Sequence, residues 1–150
     1  MSDDLLRWIP VEPTFVPAED AAMRAVEWLR ARAPGADEVT SRVTEEIELV
    51  DCGGNLERIE CPRCGAELDV EWWGEAMATA AEMSFRDRSV EMPCCDETVD
   101  LAALRYEAPQ GFARFVLEAR NAGIGMPTAE DAAQLGRLLG TDVRLICSHE

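Results

Sequence analysis

Two stretches of the chain set apolar residues at helical spacing directly after the same short string. Residues 17–22 read PAEDAA and residues 127–133 read PTAEDAA. After the first, Met23, Val26, Trp28 and Leu29 continue a helical stripe that Pro34-Gly35 ends. After the second, Ala132, Leu135, Leu138 and Leu139 continue one as far as Gly140, with Thr128 as N-cap and Asp131 completing a capping-box pattern. Acidic residues in each first turn suit the helix dipole. Strand-like alternation flanks both helices. Leu5, Arg7, Ile9 and Val11 share one face, and Pro10 and Pro13 limit that strand to an edge or a short piece. Val39, Val43, Ile47 and Leu49 oppose Thr40, Arg42, Thr44, Glu46 and Glu48. Ala113, Phe115, Leu117 and Ala119 alternate with Arg114, Val116, Glu118 and Arg120. Val143, Leu145 and Cys147 alternate with Asp142, Arg144 and Ser148. The two ends of the chain therefore predict the β-α-β-β-α-β order of a ferredoxin-like α+β sandwich.

Residues 52–108 interrupt that order. Within them, Leu68 and Val70 suggest a short strand, Trp72 to about Phe85 a helix, and Val90–Met92 a second short strand. The expected organisation is a single α+β domain over 1–150 with this stretch as an insert. At 150 residues and 47% apolar, the chain has the composition of a globular domain with a real core.

The insert carries five of the six cysteines, four of them in two close pairs. Cys61-Pro62-Arg63-Cys64-Gly65 has the spacing of a zinc knuckle, two thiolates on one tight turn. Pro93-Cys94-Cys95-Asp96 supplies two more. Structural zinc takes four ligands in a tetrahedron, so Cys61, Cys64, Cys94 and Cys95 form the expected set for one structural Zn2+ per chain, and the insert reads as a split zinc ribbon. Neighbouring side chains in an extended strand point to opposite faces, so Cys94 and Cys95 reach one metal only if the chain turns there. Otherwise Cys52 or His149 is the alternative ligand. Without metal, CPRC would be a reduced dithiol, and a redox role would need a thioredoxin-like context that the sequence does not show. Four thiolates leave no position for water, which makes the site structural rather than catalytic. Zinc would also supply folding energy to an insert poor in aliphatic residues.

Charge narrows the partners. The formal net charge is -16, which repels phosphate backbones and disfavours bulk nucleic acid, and which attracts a basic protein. All 14 basic residues are Arg, so a Walker-type loop, which needs Lys, is excluded. No apolar run is long enough to span a membrane. MSDDLLRWIP lacks the layout of a signal peptide, so the expectation is a soluble, cytoplasmic chain without disulfides.

Other residues carry less. Cys147 falls on the apolar face of a strand, and Cys52 lies in the turn Asp51-Cys52-Gly53-Gly54-Asn55. His149 is the single histidine and a poor candidate for a general base, so no Cys-His or Ser-His-Asp arrangement is available. Trp72 and Trp73 pack on the insert core, or one of them is exposed beside the knuckle as a binding hot spot. The acidic runs Glu45, Glu46, Glu48 and Asp96, Glu97, Asp100 read as solvated faces.

The CPxCG…PCC framework, the Trp-Trp pair and the later GFARFVLEARN stretch resemble a family of small, functionally uncharacterised bacterial proteins. The resemblance covers most of the chain and is most specific from Ile59 to Asn121. It matches Cys61, Cys64, Cys94 and Cys95 to the family's two knuckles and Gly111-Phe112-Ala113-Arg114-Phe115 to a strand. Asp96 stands where the family pattern has Gly. Some members are labelled sugar ABC transporter ATPases, a label that this chain contradicts. The resemblance implies no activity.

The expected function is therefore non-enzymatic: a zinc-binding protein-protein interaction module, in one version an immunity or antitoxin-type protein whose acidic face covers a basic partner. One rival is an enzyme with a cleft between sheet and insert. The other is a ribbon-mediated nucleic-acid-binding regulator, which would gather Arg58, Arg63, Arg86 and Arg88 on one face.

Overall fold

Along the chain the elements are β1 (Asp4–Pro10), α1 (Glu19–Arg32), β2 (Glu38–Val50), β3 (Ile59–Glu60), α2 (Val70–Ala81), β4 (Ser89–Glu91), β5 (Thr98–Asp100), a 3-10 turn at Leu101–Ala103, β6 (Arg105–Tyr106), β7 (Gly111–Arg120), α3 (Ala129–Leu139) and β8 (Val143–His149). They come from a computed structural model that describes residues 3–53 and 56–149. This is a mixed α+β fold. Four strands form one sheet in the order β2-β7-β1-β8, each pair antiparallel, and the pairs β3-β6 and β4-β5 form two small ribbons.

β1 lies inside the sheet, not at the edge its prolines suggest. The reason is phase. Val11 N–H bonds to Asp142 O at 2.9 Å, so the odd-numbered residues of β1 turn their backbone groups to β8. Pro10 therefore turns its nitrogen toward β7, where registered pairing has already stopped at Trp8. The missing donor costs no ladder bond.

α3 obeys its sequence signals, whereas α1 leaves Met23 of its expected stripe 60% exposed and buries Ala21, Ala22 and Ala25 beside Leu29. Thr128 and Asp131 form the expected capping box, and Gly140 ends α3 in the left-handed region at φ 83. α1 and α3 pack on one face of the sheet, where Trp8, Phe115, Leu117, Ala25, Leu29 and Leu135 form the helix-side core. Arg32 of α1 reaches Asp131 of α3 at 3.3 Å. At Gly136 a Cβ would lie 2.9 Å from the Thr141 carbonyl oxygen, which is backbone and cannot rotate away. Gly136→Ala should therefore destabilise the fold by about 1 kcal/mol, measured in urea, because overpacking (~1–3 kcal/mol) outweighs the ~1 kcal/mol gained in helix propensity.

The opposite face of the sheet is covered by the chain's own ribbon. The β2–β7 register shifts between Val43 and Glu48. At that bulge Arg114 Nε donates to Thr44 O at 2.9 Å, and Thr44 Oγ1 donates to Glu46 O at 2.6 Å. Beyond it the ribbon bends back over β1 and β8. Val50 and Ala113 cluster there with Ile9, Val116 and Ile146, Asp51 meets Arg7 at 3.5 Å, and Gly53 bridges to His149. Gly111 passes so close that a Cβ would sit 2.9 Å from Ile9 Cδ1. The bulge also divides the expected apolar face of β2. Val39 enters the helix-side core, Val43 is 52% exposed, and Ile47 joins a second core in the insert.

That second core gathers Ile59, Leu68, Met77, Met92, Leu101 and Phe112, so residues of the insert and of β2 and β7 share it. The Phe85 and Phe112 rings stand 5.1 Å apart, and Arg88 lies over Phe112 while holding Asp100 by two bonds of 3.1 Å. Val70, expected in a strand, starts α2 instead, because Asp69 caps the helix by accepting from Glu71 N–H at 2.9 Å. Both tryptophans are half-buried on this core, and Trp73 Nε1 donates to Tyr106 Oη at 3.2 Å. The Gly54-Asn55 part of the turn expected after Cys52 lies outside the described residues.

Candidate metal centre

Each expected cysteine pair sits on the tight turn of a short hairpin, and the two turns are built alike. In the first, Cys61 N–H bonds to Ala66 O at 2.9 Å and Gly65 N–H to Cys61 O at 3.0 Å. In the second, Met92 N–H bonds to Glu97 O at 2.8 Å and Asp96 N–H to Met92 O at 2.9 Å. Superposed on these bonds, Cys61-Pro62-Arg63-Cys64-Gly65 and Met92-Pro93-Cys94-Cys95-Asp96 correspond residue for residue. Gly65 and Asp96 both take positive φ, 77° and 61°. Glycine is free there; aspartate is among the few other residues that tolerate it.

The turn at Pro93 lets adjacent cysteines face one point, as the spacing requires. The Sγ atoms of Cys61, Cys64, Cys94 and Cys95 all lie within 4.8 Å of one another. Cys64 and Cys94 are 3.3 Å apart, and Cys61 and Cys95 3.9 Å. A tetrahedron of thiolates with bonds of about 2.3 Å to a metal has edges of roughly 3.8 Å. These four cysteines can hold a metal ion, and the donor set and spacing fit one.

The pairs are unequal. Cys61 and Met92 occupy the same place in their turns, and both are 0% exposed in the insert core. The second hairpin thus puts a thioether where the first has a ligand, and its extra sulfur, Cys94, stands in the place of Arg63. Cys64 and Cys94 are exposed, and Cys95 is half-buried. Burial opposes the Cys61 thiolate, but the Cys64 and Arg63 amides and the Cys94 and Cys95 thiols outweigh it and bring the group down to about 7. Its sulfur accepts from Arg63 N–H at 3.4 Å. Cys94 is pushed up to about 12, first by its bond to Cys64, then by burial. The knuckle amides and the neighbouring thiols thus favour the Cys61 thiolate.

Neither alternative ligand joins the cluster. Cys52 is fully buried, and its N–H and Sγ face Gln110 Oε1 at 3.4 and 3.5 Å. Burial pushes its thiol up. His149 Nδ1 lies 2.6 Å from Asp4 Oδ1 at the far edge of the sheet. Cys147 is half-buried, and burial raises its thiol as well. Three of the four arginines that a nucleic-acid surface would need lie against carboxylates: Arg58 on Glu60 at 3.3 Å, Arg86 on Glu46 at 3.9 Å and Arg88 on Asp100 at 3.1 Å. Met92 is the residue that the sequence pattern passed over. Aligning the nine residues from Glu60 with those from Glu91 would have exposed it.

Among the described residues, no helix is long and apolar enough to cross a membrane. Compared with protein-family models, with curated proteins and with solved structures, the chain matches none of them.

Proposed function

We propose that this chain is a non-enzymatic binding protein whose insert is clamped by one structural Zn2+ on Cys61, Cys64, Cys94 and Cys95. The observation that carries the reading is the convergence of four sulfurs, within 4.8 Å, from two like-built turns. Four thiolates suit zinc or iron among the common metals, and they fill a tetrahedron without a place for water or substrate. The same reading takes the scaffold as ferredoxin-like, supported by the strand order β2-β7-β1-β8 with both scaffold helices on one face. It takes the insert as a split zinc ribbon within a single domain, and the chain as a member of the small bacterial family that it resembles.

The net charge of -16 favours a basic protein partner, which includes an immunity or antitoxin-type role. Elemental analysis and X-ray absorption of the purified protein test the metal. The expected result is one zinc per chain with four sulfur neighbours. Three sulfurs and one oxygen would instead favour the enzymatic alternative, with exposed Cys94 as the ligand that opens. Iron, or no metal, would overturn the zinc reading. The partner is tested by capture on the zinc-loaded protein at low and high salt. Failure to recover a saturable, salt-sensitive protein would overturn the binding role.

A further inference from the structure

We infer that the groove between α2 and β4 docks an extended, basic segment of a partner protein, laid along the edge of β4 with an aliphatic side chain in the groove. This rests on the binding-protein reading and names the surface that would do the binding. The groove has a volume of about 290 Å³. Trp72, Ala76, Thr79 and Met83 supply one wall, a single stripe of α2 and the turn after it, and Ser89 and Val90 supply the other. Met83 is 51% exposed although it continues an apolar stripe.

The geometry selects an extended occupant. Ser89 and Val90 are neighbours in a strand, so their side chains point to opposite faces, yet both border the groove. The groove therefore follows the strand's edge. Among the described residues, β4 pairs only with β5. The bonds Leu101 N–H to Arg88 O and Met92 N–H to Glu97 O set the phase, so Arg88, Val90 and Met92 turn their backbone groups to β5 and Ser89 and Glu91 turn theirs outward. Ser89 N–H is taken by Asp87 Oδ1 at 3.0 Å. The Ser89 carbonyl and both Glu91 groups remain as an open edge that an added strand can use.

Charge selects a basic occupant. Glu75 and Asp87 border the groove, and Glu71, Glu82 and Glu91 are exposed around it. The adjacent arginines are already engaged. Arg88 holds Asp100 and donates to Phe85 O at 2.8 Å, and Arg86 donates to Met83 O at 3.1 Å. A second copy of this chain, also at -16, would be repelled.

The probe is a displayed library of random heptapeptides, selected on the zinc-loaded protein and counter-selected on its Thr79→Arg variant. Thr79 is exposed on α2 and Arg is the better helix former, so the variant should fold, as circular dichroism and zinc content will verify. The expected result is enrichment of peptides with an aliphatic residue flanked by Arg or Lys. Their affinity should fall at least tenfold in Thr79→Arg and with rising salt, and their binding should perturb the amide signals of Ser89–Glu91. The proposal is overturned by selection of acidic sequences, by perturbations elsewhere, or by no peptide that distinguishes the two proteins. A Thr79→Arg variant that still captures the cellular partner removes the groove and leaves the binding-protein reading. A metal-free chain that selects basic peptides through Thr79 keeps the groove and removes the zinc clamp.

Discussion

Adding Met92→Cys to a Cys94→Ser protein should restore the zinc binding that Cys94→Ser alone loses. The prediction follows from the equivalence of the two turns. Met92 has the backbone position of Cys61, down to the bonds that its N–H and carbonyl make across the turn. A thiol there would be presented as Cys61 is, and the second turn would become a Cys-Pro-x-Cys knuckle. Outer-shell partners of a metal are worth about 10–100-fold in affinity, so loss of a ligand itself should cost at least about 100-fold. Competition with a chromophoric chelator reads the loss and its recovery. Met92 is 0% exposed, so shortening it also removes apolar contact. Met92→Ser with Cys94→Ser controls for that cost, and Met92→Cys alone checks that the core accepts the change. A double Cys/Ser variant that binds no better than Cys94→Ser would show that the second turn does not present ligands as the first does.

Stripping the metal, or replacing Cys95 with Ser, should unfold the insert and leave the sheet standing. The insert core rests on short ribbons and one helix, and the candidate ligand Cys61 is itself a buried member of it, clustered with Met92 and Val99. Structural zinc in small domains contributes apparent binding energies of roughly 10 kcal/mol or more, enough to decide whether such a core forms. The helix-side core is built from β1, α1, β2, β7 and α3, and none of the four candidate ligands belongs to it. Hydrogen exchange after chelation should show residues 59–106 losing protection by at least about a hundredfold, the ratio that 2.7 kcal/mol represents, while Trp8 and Phe115 keep protected neighbours. Trp72 and Trp73 emission should shift to the red. Loss of protection in β1 and β7 at the same chelator concentration would show one cooperative unit instead.

Much of the scaffold was legible because its signals are local. Thr128, Asp131 and Gly140 mark α3 by backbone bonds that need no tertiary partner, and the four alternating segments became the four strands of the larger sheet. The candidate ligands were legible for the same reason, since a Cys-x-x-Cys turn is a short-range device. What escaped depended on partners distant in sequence. The place of Pro10 inside the sheet depends on the phase of a ladder with β8. The exposure of Val43 depends on a bulge that Arg114 helps to hold from another strand. The equivalence of Met92 and Cys61 depends on cross-turn bonds in two hairpins, and Cys94-Cys95 concealed it, because an adjacent pair resembles a complete half-site.

Val50 and Gly111 are partners in the β2–β7 ladder. Entry to and exit from the insert are therefore side by side, and a short turn could join them without moving a scaffold strand. A chain arranged in this way is modular: it can gain, lose or exchange whatever lies between those residues, as tolerated insertions at closely spaced chain ends generally allow. Ile47, Leu49 and Phe112 would need new cover, since they are on the scaffold's side of the shared core. The insert can then diversify at its own pace, while the sheet beneath it is constrained only by folding.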